Sequence, residues 1–205
     1  MPNDSSTGSV AGDTVVLRLA APADVAAVGD LTVRAYVDDG YVAADDDYAG
    51  QLRAAEDRFR GAELWVATVG DTVAATVTFC PPGSVYRELA GAGEGEFRML
   101  AVDPSARRRG LAKALVGRCR DRCRELGLDG LVLCTLEEMA PAHALYRSLG
   151  FRRDPGLDWE PAPGVRLVGF RDDVQPGTVA SATGVEGPDR LREWRAQPPT
   201  TEEKP

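Results

Sequence analysis

The stretch from Glu96 to Lys113, EFRMLAVDPSARRRGLAK, holds the residues whose types and order most directly suggest chemistry. An apolar run ends at Asp103-Pro104, three arginines follow at 107–109, and Gly110 precedes a segment with helical periodicity. The start of a helix carries backbone N–H groups with no intrahelical acceptor and the positive end of the peptide dipole. Together with the arginines, those N–H groups make a site for phosphate. Gly110 removes a side chain where a pyrophosphate would approach the backbone, and Ala112 keeps the next turn small. The pattern is not G-x-x-x-x-G-K-[ST], and it lacks the second glycine of a dinucleotide fingerprint. Read without a ligand, the same residues are a helix cap with incidental arginines.

Other reactive types are sparse. Cys80, Cys119, Cys123 and Cys134 show no Cys-x-x-Cys spacing, and His143 is the sole histidine, so no metal site is expected. Cys119 and Cys123 are four apart, on one face of a helix, and all four cysteines read as buried free thiols. Residues 36–48 bring together Tyr36, Asp38, Asp39, Tyr41, Asp45, Asp46, Asp47 and Tyr48. Carboxylates grouped this way attract a cationic amine, and they are equally what a hydrated acidic loop contains.

The elements that must hold these groups alternate in type. Thr14–Leu19 is strand-like, and Pro22 and Asp24 open a helix to about Tyr36 with Val25, Val28, Leu31 and Ala35 at helical spacing. A second helix is predicted over Tyr48–Arg60. Glu63–Val69 and Thr72–Phe79 are strands joined by Gly70-Asp71, a hairpin signal. Cys80–Glu94 reads as an irregular excursion and Gly95–Val102 as a strand. Gly110–Leu126 is a helix stopped by Gly127, with Leu111, Leu115, Cys119, Cys123 and Leu126 as its apolar stripe. Leu131–Leu136 is a strand, and Pro141–Leu149 a helix closed by Gly150. Strands near Phe151–Trp159 and Val165–Arg171 complete the chain around EPAPG. This order gives a mixed α/β sheet with one βαβ unit.

Length and composition set the frame. The 205 residues, 43% hydrophobic and 27% charged, suit a single domain of about 14–172 between polar tails at 1–13 and 173–205. The N-terminus has no basic residue before Arg18 and no apolar stretch follows it, so a cytoplasmic protein is expected, with no membrane partner. A net charge of −8 argues against nucleic acid as a partner. Positive charge nevertheless bunches at Arg107–Arg109, Lys113, Arg118, Arg120, Arg122 and Arg124, the later arginines reading as a solvated helix face.

RRRGLA at 107–112 matches [Q/R]-x-x-G-x-[G/A], and HALYRSLGF at 143–151 resembles a second signature, A-x-x-L-Y-x-x-L-G-F. With both motifs in this order and at about this distance, the sequence resembles the GNAT superfamily of N-acetyltransferases over roughly residues 14–172. The resemblance implies a mixed, largely antiparallel sheet with a central splayed parallel strand pair and helices on both faces. It implies acetyl-CoA as co-substrate and a primary amine, on a small molecule or a protein, as acceptor. The main chain of Leu100, Ala101 and Val102 would hold pantetheine, and that of Arg108, Arg109, Gly110, Leu111, Ala112 and Lys113 the pyrophosphate. Tyr146 matches the family tyrosine that protonates the departing sulfur; on residue type alone it is a core aromatic between Leu145 and Leu149. Glu96 is the candidate base, directly or through water, and strand alternation puts it on one face with Arg98, Leu100 and Val102; an ion pair with Arg98 or an exposed strand start is the competing reading. Met139 departs from the pattern, standing where several members carry a cofactor-binding asparagine, which leaves open a CoA-binding sensor without turnover. Dimers are common in the family, though no segment here marks an interface.

Overall fold

The computed structural model describes residues 14–174. Eight strands form one sheet in the order β1-β2-β3-β4-β5-β8-β6, with β7 paired to β8. The first four are β1 (Val15–Leu19), β2 (Glu63–Val69), β3 (Thr72–Cys80) and β4 (Glu94–Val102). The others are β5 (Gly130–Leu136), β6 (Arg152–Arg153), β7 (Trp159–Ala162) and β8 (Val165–Asp173). Only the β4–β5 pair is parallel. Helices α1 (Val25–Val37), α2 (Asp47–Arg53) and α3 (Ala55–Gly61) precede β2, α4 (Leu111–Glu125) joins β4 to β5, and α5 (Ala140–Ser148) follows β5.

Strand alternation sorts the core into two layers. Trp65, Ala67, Val77, Phe79, Phe97, Leu131 and Leu133 point to the face covered by α4 and α5. Leu64 and Val66 point the other way, toward Val28 of α1 and Ala55 of α3. The α1 stripe is buried as its spacing predicts, with Val28 and Leu31 almost fully inaccessible. Each such side chain contributes about 1.5–3 kcal/mol over an exposed one.

Two helix ends follow directly from glycines. Gly127 (φ 65°) and Gly150 (φ 91°) adopt the left-handed conformation that side chains resist. At the end of α4, Gly127 N–H donates to Arg124 O and Leu128 N–H to Cys123 O. At the end of α5, Gly150 N–H donates to Arg147 O and Phe151 N–H to Tyr146 O. Both are Schellman closures, and in each the residue after the glycine is buried against the helix it ends. Leu126, placed in the α4 stripe by periodicity, is instead exposed, and Leu128 fills the core position.

Several sequence expectations need correction. The helix predicted over 48–60 is two helices, broken at Ala54 (ψ 57°). The break lets Arg53 O approach α1 so closely that a Cβ on Gly29 would lie 2.5 Å from it. The strand predicted over 151–159 is interrupted by a 3-10 turn at Pro155–Leu157, which Asp154 caps by accepting from Gly156 N–H. The arginines of α4 are ion-paired rather than solvated: Arg118 and Arg122 to Glu125, Arg122 also to Glu63, Arg120 to Asp172, and Arg124 to Asp121. At the other end, β8 runs to Asp173, and Val174 is buried and donates to Asp129 O. The N-terminal segment 1–13 and the expected C-terminal tail beyond 174, including Trp194, lie outside the described residues.

Candidate active site

The parallel pair β4–β5 is joined only at its beginning, by Glu94↔Gly130, Gly95↔Leu131 and Glu96↔Val132. Beyond Glu96 the strands separate. A bulge in β4 accompanies the separation: Thr78 pairs with Arg98, yet Thr76 pairs with Ala101, so Met99 and Leu100 together oppose Val77. Met99 takes φ 51° there, a left-handed backbone at a non-glycine residue. The extra residue inverts the alternation that follows. Glu96 and Arg98 therefore share a face with Ala101, while Leu100 and Val102 join Phe97 on the α4 side, contrary to the face assignment made from simple alternation.

A cavity of about 570 Å³ opens where the strands part. Leu100, Ala101 and Val102 form its β4 wall; Arg108, Gly110, Leu111, Ala112 and Lys113 form its floor; Tyr146 lines it from α5. Of the residues expected to hold the cofactor, only Arg109 is not among those lining it. The first backbone bond into α4 runs from Ala114 N–H to Gly110 O at 2.9 Å, which leaves the N–H groups of Leu111, Ala112 and Lys113 without helical acceptors. Gly110 has φ 78°, Arg108 has φ 64°, and a Cβ built on Gly110 meets nothing within 4 Å. The loop is therefore an open concave backbone surface, with the fit a pyrophosphate needs. Two ion pairs fasten it to α1 and the turn that follows: Arg34 to Asp103 at 3.0 Å and Arg107 to Asp39 at 2.8 Å. Asp103 also accepts from Ser105 N–H and Oγ–H, and these bonds hold its carboxyl below the ordinary carboxylate range.

Tyr146 is 5% exposed and sits in an aromatic cluster, its ring 5.9 Å from Phe97, 5.9 Å from Phe151 and 5.8 Å from Phe170. Burial, followed by the nearby Cys134, pushes its hydroxyl well above the ordinary tyrosine range, so it stays protonated at neutral pH. Glu96 is 1% exposed and lines neither large cavity. Its Oε2 accepts from the N–H groups of Glu88, Leu89 and Ala90 at 2.8–3.2 Å, anchoring the excursion between β3 and β4. Its Oε1 is buried without a hydrogen-bond partner, 4.0 Å from Arg98 Nε. Arg98 also pairs with Glu88 at 2.5 Å.

A second cavity, of about 730 Å³, lies on the other side of the splay. Tyr36, Tyr41, Arg98, Met99, Cys134 and Thr135 line both spaces, together with Met139. Asp46, Asp47 and Tyr48 of the acidic stretch line the second cavity with Trp159 of β7; Asp45 does not, and Asp39 lines the first. Met139 is buried at the α5 N-terminus, where its sulfur accepts from Thr135 Oγ at 3.2 Å. Cys134, expected as a buried free thiol, is free and half-buried. It lies on β5 where the two cavities meet, and burial pushes its thiol up to about 11 against a lowering bond from Trp159. His143 packs against Phe170 with Nε2 3.0 Å from Leu136 O.

The model of the acetyltransferase (GNAT) family matches residues 28–151, which contain the splayed strands, the basic loop and the Tyr146 helix. The chain belongs to this family. A 68-residue stretch is 41% identical to mycothiol acetyltransferase of Beutenbergia cavernae, covering 33% of this chain and 23% of that protein. N-acetyltransferase 8B of Rattus norvegicus is 34% identical over 116 residues, 55% of this chain and 48% of its own. The chain thus spans less than half the length of these curated relatives. The structure of yncA from Salmonella typhimurium with its cofactor acetyl-CoA superposes with TM-score 0.58 at 22% identity, covering 83% of this chain and 99% of that one. At that identity the likeness concerns the fold alone. Among the described residues no group of three or more His, Cys, Asp or Glu side chains stands together to hold a metal. No described helix is long and apolar enough to cross a membrane.

Proposed function

We propose that the protein transfers the acetyl group of acetyl-CoA directly to a primary amine at the point where the two cavities meet. The observation that carries this reading is the meeting itself: the cleft that holds the Gly110 loop and Tyr146 shares Arg98, Met99, Cys134 and Thr135 with a separate space of about 730 Å³. Acetyl-CoA supplies the activated acetyl group. The main chain of Arg108–Lys113 binds its pyrophosphate, and the free edge of Leu100–Val102 receives the pantetheine amides. In this reading Arg109 contributes through its backbone and its charge at the rim.

Tyr146 is the proton donor to the departing sulfur. Burial keeps its hydroxyl protonated at neutral pH, so the proton is present when the thiolate departs. Glu96 takes the amine proton through a water on its unpartnered Oε1, since the carboxylate itself does not reach either cavity. Direct attack is supported by the state of Cys134: a thiol pushed to about 11 is protonated near neutral pH and makes a poor acetyl carrier.

Replacing Tyr146 with Phe tests the reading. General acid catalysis supplies roughly 10²–10⁴-fold, so kcat should fall by about two orders of magnitude while the acetyl-CoA Kd stays within about twofold. Glu96→Gln keeps an oxygen for the three N–H donors and removes the base; kcat should fall while the acetyl-CoA Kd stays within about twofold. A binding-competent wild type that acetylates no amine would return the protein to the class of CoA-binding sensors.

A further inference from the structure

The charged residues that line the first cavity are cations with a single exception. Arg98, Arg107, Arg108 and Lys113 line it, and Asp39 is the one carboxylate that does so among the described residues. CoA carries a pyrophosphate and a further phosphate, so an acid in the space that receives it opposes binding. Asp39 does more than add a negative charge. Its two oxygens accept from Arg107 Nη1 at 3.0 Å and Nη2 at 2.8 Å, a two-pronged pair between residues 68 apart in sequence. Arg107 opens the arginine run that leads to Gly110. The pair therefore occupies the guanidinium fork that a phosphate would otherwise use.

The loop keeps its shape by other contacts. Asp103 caps the 3-10 turn Pro104–Ala106 by accepting from Ser105 N–H and Oγ–H, and it also pairs with Arg34 of α1. At the end of that turn Arg107 N–H donates to Pro104 O. These bonds fix the segment that ends at Arg107 without Asp39. The Arg107 and Asp39 side chains are 40% and 32% exposed, so solvent screens their attraction and the pair adds little to stability. Its larger consequence is for an anionic ligand in the same space.

We propose that Asp39 limits how tightly the site holds CoA: it is a positioning residue that keeps the Arg107 guanidinium off the phosphates, and its own charge opposes them. The inference rests on the placement of the pyrophosphate at the Gly110 loop and is independent of the acceptor. Asp39→Asn keeps the side-chain shape, removes the charge and releases the guanidinium to a phosphate. Replacing a residue that only braced the loop would weaken binding, whereas replacing Asp39 strengthens it.

CoA is titrated calorimetrically into the full chain at low and at raised salt, for the wild type, Asp39→Asn, Arg107→Gln and the double variant, with thermal unfolding of each as the check on folding. Asp39→Asn should lower the Kd by about three- to fivefold at low salt, the size of one exposed ion pair. The gain should shrink as salt screens the charges, and CoA dissociation followed by displacement should slow in proportion. Arg107→Gln should raise the Kd, because it leaves Asp39 unneutralised, and adding Asp39→Asn to it should recover most of the loss. A Kd unchanged or raised in Asp39→Asn would overturn the inference while CoA binding by the wild type leaves the cofactor placement standing. A gain that persists undiminished at raised salt would also overturn it. Failure of the wild type to bind CoA would overturn the placement and the inference with it.

Discussion

Replacing Gly110 by Ala separates what the basic loop does for folding from what it does for the cofactor. The cost to the fold is conformational, because an added Cβ meets nothing within 4 Å. Holding a non-glycine residue at φ 78° costs roughly 1–2 kcal/mol. Part of this is offset by the roughly 0.4–1 kcal/mol gained when Ala restricts the unfolded chain. A net loss of about 1 kcal/mol lowers Tm by roughly 2–4 °C in a domain of this size. The cost to binding is larger, since the same Cβ would occupy the space a phosphate must enter to reach the N–H groups of the loop. Each charge-assisted bond lost is worth about 1.5–3 kcal/mol, so the acetyl-CoA Kd should rise by at least about tenfold. Gly127→Ala is the internal control. It has φ 65° and open space at the far end of the same helix, so it should lower Tm similarly and leave the Kd unchanged. Calorimetric titration and thermal unfolding of both variants provide the two readouts. A Gly110→Ala protein that binds acetyl-CoA within about twofold of wild type would refute the placement of the pyrophosphate.

Two further outcomes follow from the packing. Gly95→Ala would put a Cβ 2.7 Å from Cys123 Sγ and 2.9 Å from the Phe79 ring, where the parallel pair is still joined. Overpacking of this kind costs roughly 1–3 kcal/mol, so denaturant unfolding should shift to a visibly lower midpoint; an unchanged midpoint would contradict the packing. Because the Cys134 thiol is pushed up to about 11, its thiolate fraction, and hence its alkylation by iodoacetamide, should climb about tenfold per pH unit from neutrality toward that value. Rapid alkylation at neutral pH that levels off below about pH 9 would show an activated thiolate instead.

Local rules made much of this legible in sequence. Gly127 and Gly150 end their helices where their spacing says they must, and Gly70-Asp71 forms the two-residue hairpin with Val69 paired to Thr72. The arginine–glycine turn lies in the splayed cleft because a strand end and a helix start are local features, readable one residue at a time. The misses are tertiary. Ala54 breaks a helix with no glycine or proline to announce it, and the compensating feature, Gly29, lies on another helix. The β4 bulge turns on a methionine at φ 51°, a conformation no propensity assigns to that residue, and one extra residue reverses the facing of everything after it. The strand position of Glu96 follows from its sequence, but its three N–H partners come from the loop between β3 and β4, which carries no periodicity. Cys134 stands at the junction of the cavities only because β4 and β5 part, which is a property of the pair and of neither strand alone.

The most direct measurement is intact-protein mass spectrometry combined with product analysis, after mixing the enzyme with isotope-labelled acetyl-CoA, first alone and then with a primary amine. Direct transfer predicts an unmodified protein in the first mixture and N-acetylated amine, with release of CoA, in the second. Label carried covalently on Cys134, or label that never leaves acetyl-CoA across a broad set of amines, would contradict it.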